Sequence, residues 1–340
     1  MSERQASSAR TTNAANPPNA TTATTATTAP TATSRTIRSD AMSIWSAGMP
    51  WLFVLIWSTG FIVAKYGMPN AEPLTFLALR YGGTIAVMLP VALLTRTPWP
   101  HRTVGGSRRV DWAAYGHMAV SGILIQAIYL GGVWAAIKQG VPAGLAALVV
   151  GIQPLLTALF ARLIGEPVSR RQWLGLLCGF TGVGLVVANK IGVRGITPAA
   201  VSLCVLSLVA ITSGTLYQKR FCAHFDLRVG TVVQFGAAFV VTLPLAWALE
   251  TMQVRWNAEM LGALAWSILA LSIGAISLLF LLIRHGAATK VSSLMYLTPP
   301  TTAVMAWLLF GETLSPLSAA GMVVAALGVA LVIERRTASS

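Results

Sequence analysis

The chain contains itself twice, and this duplication limits its architecture more than any other feature. Gly140, Pro154, Gly165, Glu166, Ser169, Gly175, Gly182, Val183, Leu185 and Val186 return 146 residues later as Gly286, Pro300, Gly311, Glu312, Ser315, Gly321, Gly328, Val329, Leu331 and Val332. An earlier set, Gly60, Lys65, Gly82, Leu89, Pro90 and Ala92, returns 154 residues later as Gly214, Lys219, Gly236, Leu243, Pro244 and Ala246. In an apolar chain, two homologous halves point to a solute pathway held between them.

The chain is apolar throughout. Hydrophobic residues make up 55% of it, charged residues 10%, and the mean hydropathy is +0.69. A soluble domain covers its surface with polar groups, which this composition cannot supply. A helix that crosses the hydrocarbon needs about 20 largely apolar residues. The sequence provides such a segment ten times, at residues 47–67, 73–95, 112–136, 140–163, 172–189, 197–217, 228–249, 260–283, 286–310 and 316–334. The runs are long and continuous, whereas barrel strands are about ten residues long and alternate in polarity, so the expected fold is an all-α membrane protein.

The formal charge of +14 does not indicate nucleic-acid binding, because the basic residues are dispersed among short loops with no basic helix or aromatic platform. They report orientation instead. With the termini and alternate loops on one side, that side collects fifteen Arg and Lys, including Arg96, Arg102, Arg108, Arg109, Arg170, Arg171, Arg220, Arg228 and Arg335. The other side holds five: Lys65, Lys138, Lys190, Arg194 and Arg255. The positive-inside rule then places both termini in the cytoplasm.

Residues 1–44 are Ala, Thr, Ser, Asn and Pro with almost no large apolar side chain. Such a segment cannot bury enough surface to offset chain entropy, so a disordered polar tail is expected. It has no apolar h-region, and the first span is expected to serve as the insertion signal. Cys178, Cys204 and Cys222 form no ligand spacing, so neither a metal nor a disulfide framework is implied.

The tail is followed by a first repeat, 45–190, and a second, 191–336. Five spans per half is an odd number, so equivalent helices cross the membrane in opposite directions and the repeat is inverted. An inverted pair can exchange inward-open and outward-open shapes by swapping the conformations of its halves. The sequence has no filter-like glycine run or ring of acids of the kind that builds a channel.

Trp57-Ser-Thr-Gly-Phe-Ile-Val-Ala-Lys65, Leu79-Arg80-Tyr81, Gln153-Pro154 with Gly165-Glu166, and Pro299-Pro300 with Gly311-Glu312 follow one another in an order that resembles the EamA-type members of the drug/metabolite transporter superfamily. The likeness runs from residue 47 to 336. It implies ten transmembrane helices and export of small metabolites, often amino acids, across a bacterial inner membrane, without a cofactor. It does not name the substrate.

Candidate site residues were read from depth and chemistry. Arg80 lies seven residues inside the second span, ~10 Å from its outer end at 1.5 Å per residue. An intramembrane charge is costly and marks a functional position, although a long Arg also snorkels to the surface. In the second half its place is taken by Gln234, so the symmetry breaks where a charge could hold a carboxylate. Trp57, Ser58, Thr59, Gln126, Tyr129, Gln153, Ser272, Tyr296 and Thr298 fall near mid-depth, where hydroxyls and amides orient a polar solute and aromatic rings wall it. Each could equally serve as an interhelical contact. Pro154, Pro299 and Pro300 fall inside expected helices, where proline removes a backbone hydrogen bond and permits a hinge or a packing kink.

Several polar residues read as structural. Glu166 and Glu312 lie in short connections, and His117 lies near a span end. Lys290 is placed to snorkel. Gly175, Gly179 and Gly182, with Gly321, Ala325 and Gly328, build smooth helix faces that either join the two halves or pair two copies in a homodimer.

The expected function is export of a small metabolite, an amino acid or related compound, by alternating access in the cell inner membrane. The alternatives are a nucleotide-sugar or other metabolite exchanger and, from another class, a membrane enzyme acting on a lipid-linked substrate. An enzyme would need convergent acids, a metal cluster or a nucleophile with its base, and the sequence shows none of these.

Overall fold

The computed structural model describes residues 32–104, 107–163, 169–190, 197–222, 225–278, 297–312 and 315–333. By its internal contacts the chain divides into Met1–Trp45 and Ser46–Ser340. In the first unit, helical backbone begins at Ala32. An apolar helix provides the costly nucleus, and Ala, Ser, Met and Arg upstream of it extend the helix at one hydrogen bond per added residue.

The helical elements are α1 (Ala32–Gly67), α2 (Pro73–Leu94) and α3 (Trp112–Lys138), then α4 in two pieces, Ala143–Gly151 and Gln153–Leu163. There follow α5 (Arg170–Lys190), α6 (Pro198–Phe221), α7 (Leu227–Leu249), α8 (Ala258–Leu278), α9 (Thr298–Phe310) and α10 (Pro316–Ile333). Among the described residues, six helices are long and apolar enough to cross a membrane: Gly48–Gly67 of α1, and α2, α3, α6, α7 and α8. Shorter apolar helices stand where the fourth, fifth and tenth spans were expected, and much of the expected ninth lies outside the described residues.

Two strands qualify the all-α expectation. β1 (His101–Val104) and β2 (Ser107–Val110) form an antiparallel hairpin between α2 and α3. The signal was present in the sequence, because β-branched Thr103, Val104 and Val110 flank a Gly-Gly pair.

Helix ends follow local chemistry. Asp111, Thr197, Asp226 and Asn257 cap α3, α6, α7 and α8 with side-chain oxygens that accept from backbone N–H groups of the first turn. Pro73 and Pro198 occupy the first helical position, where the missing N–H has no helical partner to lose. Gly311 closes α9 with φ 63°, the left-handed conformation that glycine adopts without Cβ strain. The break expected in the fourth span is present at Ile152, just before Gln153-Pro154. In α9, by contrast, Pro299 and Pro300 stand in the first turn of the described helix rather than in a helix interior. The carbonyls of Met295 and Tyr296, expected to be orphaned there, lie outside the described residues.

Among the described residues, two extensive helix pairings are α5 with α10 and α2 with α7. Both join equivalent helices of the two repeats. A Cβ on Gly182 would lie 2.5 Å from the Gly321 carbonyl oxygen and the Ala325 nitrogen, and a Cβ on Gly328 would lie 2.6 Å from the Gly175 oxygen and 2.5 Å from the Gly179 nitrogen. Each contact is the repeat image of the other, and a step forward along α5 is a step back along α10. The small-residue face therefore packs within the chain. The largest buried side chains include Trp134, Tyr81, Phe53, Phe76 and Phe235. Phe76 meets Trp134 at 4.6 Å between ring centroids, and Tyr81 meets Phe235 edge-on at 5.6 Å.

Candidate functional site

The third helix of each half changes pitch midway. In α3, residues Ile123–Leu130 form a π-helical stretch, and in α8, residues Ser267–Ala275 do the same. Such stretches are rare and cluster at functional positions, because the widened turn redirects side chains and frees backbone groups. Gln126 and Ser272, repeat images of each other, sit one in each stretch.

Both groups are used. The Gln126 carbonyl accepts from the Tyr81 hydroxyl at 2.6 Å, and the Ser272 hydroxyl donates to the Ser267 carbonyl at 2.9 Å, five residues back as the π pitch requires. That same Ser272 oxygen accepts from Arg80 Nε at 3.0 Å. Arg80 is 6% exposed, so it is interior rather than snorkelled. Its backbone carbonyl takes the Thr84 hydroxyl at 2.8 Å. Among the described residues, neither terminal nitrogen of the guanidinium has a hydrogen-bond partner, and no carboxylate faces it.

Arg80 lines a cavity of about 70 Å³ together with Trp57, Gly60, Phe61, Gln126, Tyr129, Trp134 and Leu271. That is room for several water molecules. A guanidinium held at Nε in the lining of an aromatic-walled pocket, its terminal nitrogens without a partner among the described residues, can take an anionic oxygen pair bidentately.

Trp57, Arg80, Gln126 and Tyr129 thus come together at one cavity, and Ser272 meets them through Arg80. The remaining candidates lie elsewhere. The Thr59 hydroxyl donates to the Ile56 carbonyl at 2.6 Å and accepts from Trp266 Nε1 at 2.8 Å, toward a half-exposed indole. Gln153 Nε2 donates to the Thr215 hydroxyl at 3.0 Å, which ties α4 to α6. Among the described residues the buried hydroxyls of Ser58 and Thr298 have no partner, and the Ser58 carbonyl accepts from the Thr302 hydroxyl at 3.4 Å. Tyr296 lies outside the described residues, as do Glu166 and Lys290. Glu312 forms an ion pair with Lys65, in keeping with the structural role read for it.

The reading of polar residues at mid-depth missed the cavity's apolar wall and the Tyr81 hydroxyl. A periodic signal for part of the wall was available. Leu130, Val133 and Trp134 follow Gln126 at four, seven and eight residues, one face of a helix.

Comparison with known proteins bears on the family of the chain. The sequence pattern of the EamA-like transporter family matches the chain twice, over residues 45–188 and 198–334. The uncharacterized inner membrane transporter YedA of Escherichia coli (strain K12) is 27% identical over 280 residues, 82% of this chain and 87% of that protein. A probable amino-acid metabolite efflux pump of Salmonella typhimurium is 25% identical over 301 residues, 82% of this chain and 91% of the pump. A probable terminal-alkyne amino-acid exporter of Streptantibioticus cattleyicolor is 29% identical over 206 residues, 58% of this chain and 66% of the exporter. One crystal structure shares the fold, with a TM-score of 0.58 at 19% identity over 86% of this chain and 99% of its own. Since the double match takes in most of the sequence, the chain is a membrane transporter and belongs to the EamA-like transporter family.

Proposed function

We propose that this transporter exports a small amphipathic metabolite bearing a carboxylate, an amino acid or related compound, across the cell inner membrane. Arg80 anchors the carboxylate, Trp57 and Tyr129 wall the solute, and Gln126 presents an amide to its polar groups. The single observation that carries this reading is the buried guanidinium in the cavity lining, tethered at Nε by Ser272 and with no partner for its terminal nitrogens among the described residues. A charge this far from water persists where a ligand or partner compensates it. Two relatives with amino-acid transport in their names support the same class.

The chain crosses the membrane ten times as two inverted five-helix repeats, 45–190 and 191–336, with both termini cytoplasmic. The reciprocal, antiparallel register of α5 and α10 supports this arrangement, as does the double family match. The halves exchange conformations around the cavity, and the break before Pro154 gives α4 a place to bend. Pro299 and Pro300 serve the same role at the start of α9.

The test is metabolite profiling of medium and cytosol in cells with the intact chain, with Arg80→Ala at matched membrane abundance, and with neither. An amino acid enriched outside by the intact protein alone supports the reading. Equal export by Arg80→Ala removes the anchor, and no difference across the panel removes export of this class.

A further inference from the structure

The connection between α1 and α2 is bound to the connection between α7 and α8 by two glutamates that reach in opposite directions. The Glu250 carboxylate sits on the first turn of α2, accepting from the Leu74 and Thr75 N–H groups at 2.8 Å each and from the Thr75 hydroxyl at 2.7 Å. Glu72, which precedes α2 and leaves its own helix uncapped, accepts from the Thr251 N–H at 2.6 Å and the Thr251 hydroxyl at 2.7 Å. Beside them, the Arg255 N–H donates to the Asn70 carbonyl at 2.8 Å. Charge-assisted bonds of this length are the strong ones.

The repeat assigns these residues counterparts. A separation of 154 carries Glu72 to Asp226, Thr97 to Thr251 and Arg96 to Glu250. At that second place the residues are bonded differently. Asp226 turns back on its own helix and accepts from the Arg228 N–H at 2.8 Å, while the Thr97 hydroxyl accepts from Arg228 Nη1 at 3.3 Å. Among the described residues no bond joins Asp226 to Thr97 or to Arg96. There the two connections are held by Arg228 on Thr97, without the carboxylate–hydroxyl bond that Glu72 makes to Thr251. Arg96 replaces Glu250, so the second place has no counterpart of the carboxylate that Glu250 sets on the N-terminus of α2.

We infer that Glu72 with Thr251 and Asp226 with Thr97 are alternating latches of the transport cycle: the first is closed in this structure, and the second closes as the first releases. The inference rests on the inverted-repeat reading above. When two halves exchange conformations, every contact of one is carried onto its counterpart in the other. Glu72 then turns back to cap α2, as Asp226 now caps α7, and Asp226 takes the Thr97 hydroxyl. These are positioning residues, remote from the cavity.

Cross-linking tests this without a known substrate. The full-length protein in native membranes, with Cys178, Cys204 and Cys222 replaced by Ala, would carry the pair Thr97→Cys and Asp226→Cys, and the rate of disulfide closure would be read on a gel. Closure at 97–226 is expected, about fivefold faster when Thr251→Val removes one hydroxyl bond from the opposite latch, the shift that one net hydrogen bond gives. Glu72→Gln provides the same test should the valine variant fail to reach the membrane. A 97–226 pair that never closes, or that closes at one rate in all backgrounds, overturns the inference. In a second protein, closing Glu72→Cys with Thr251→Cys is expected to stop export reversibly; unimpeded export with that pair closed also overturns it. If the reduced proteins export nothing, the transport reading fails, while the closure rates still decide whether the two latches are coupled.

Discussion

α2 and α7 are the same element written twice, and they differ where it matters. Both place a small residue at the same repeat position, Gly82 and Gly236, both carry an internal proline, Pro90 and Pro244, and they pack on each other. Yet α2 buries Arg80 against Ser272, while α7 carries Gln234 at the matching position, its backbone pressed so near Gly122 that a Cβ there would lie 2.4 Å from the Gln234 oxygen. Duplication copies scaffold, because packing constrains both copies alike. Binding chemistry needs only one copy, so one copy diverges. The cavity is accordingly lopsided: among its described lining residues the charge lies on the α2 side, and the rest are neutral.

The largest expected effect breaks that asymmetry. Arg80→Ala removes the only cation of the described cavity lining and is expected to abolish export at normal membrane abundance. Arg80→Lys, which keeps the charge but loses the fork, is expected to fall at least about tenfold in transport efficiency, measured as initial export rate against internal concentration.

The next addresses the symmetric part of the molecule. Gly182→Ala and Gly328→Ala each force a methyl group into the facing backbone, and each is expected to destabilise by ~1–3 kcal/mol. The two should lose similar amounts in thermal unfolding in detergent, since their contacts are repeat images. Unequal losses would break the reciprocity. Gly236→Ala, where a Cβ meets nothing within 4 Å, is expected to be neutral or to gain up to ~1 kcal/mol from helix propensity.

Ser272→Ala sharpens the comparison of the π-helical stretches. It frees Arg80 Nε and is expected to lower transport efficiency by more than about tenfold, the effect of the ~1.5–3 kcal/mol of a hydrogen bond to a charged group. Gln126→Ala, the matching change in α3, leaves Arg80 tethered and is expected to cost less.

The smallest effect is a pH dependence at the α1–α2 connection. Hydrogen bonds from the Thr251 hydroxyl and backbone N–H hold the Glu72 carboxyl below the usual glutamate value. A carboxyl depressed in the folded state adds stability above its unfolded-state pKa, and that contribution fades as pH falls through the folded-state value. Thermal unfolding scanned from neutral pH to below about 4 should show the loss in the intact protein and a weaker dependence in Thr251→Val.

How far the sequence could be read follows from helix geometry. Trp57, Ser58 and Thr59 are consecutive, so their side chains point about 100° apart and cannot share one wall. Only Trp57 reaches the cavity; Thr59 faces Trp266 and Ser58 is buried toward Thr302. Depth along a span was legible from counting, but rotation about its axis was not. Arg80, Gln126 and Tyr129 were found because a polar or charged group at mid-depth is costly wherever it points. Gln153 met the same criterion and turned instead to Thr215.

The sequence alone determined the apolar helical character, the duplication, the break before Pro154 and the placing of a charge in one half only. These rest on composition, spacing and the chemistry of single residues, which are local. Tertiary structure alone decided that the glycines of α5 meet those of α10 within one chain, that Ser272 holds Arg80, and that Glu72 and Glu250 cross between connections nearly 180 residues apart. A small residue or a carboxylate states what kind of partner it accepts. Which partner arrives depends on how the whole chain packs.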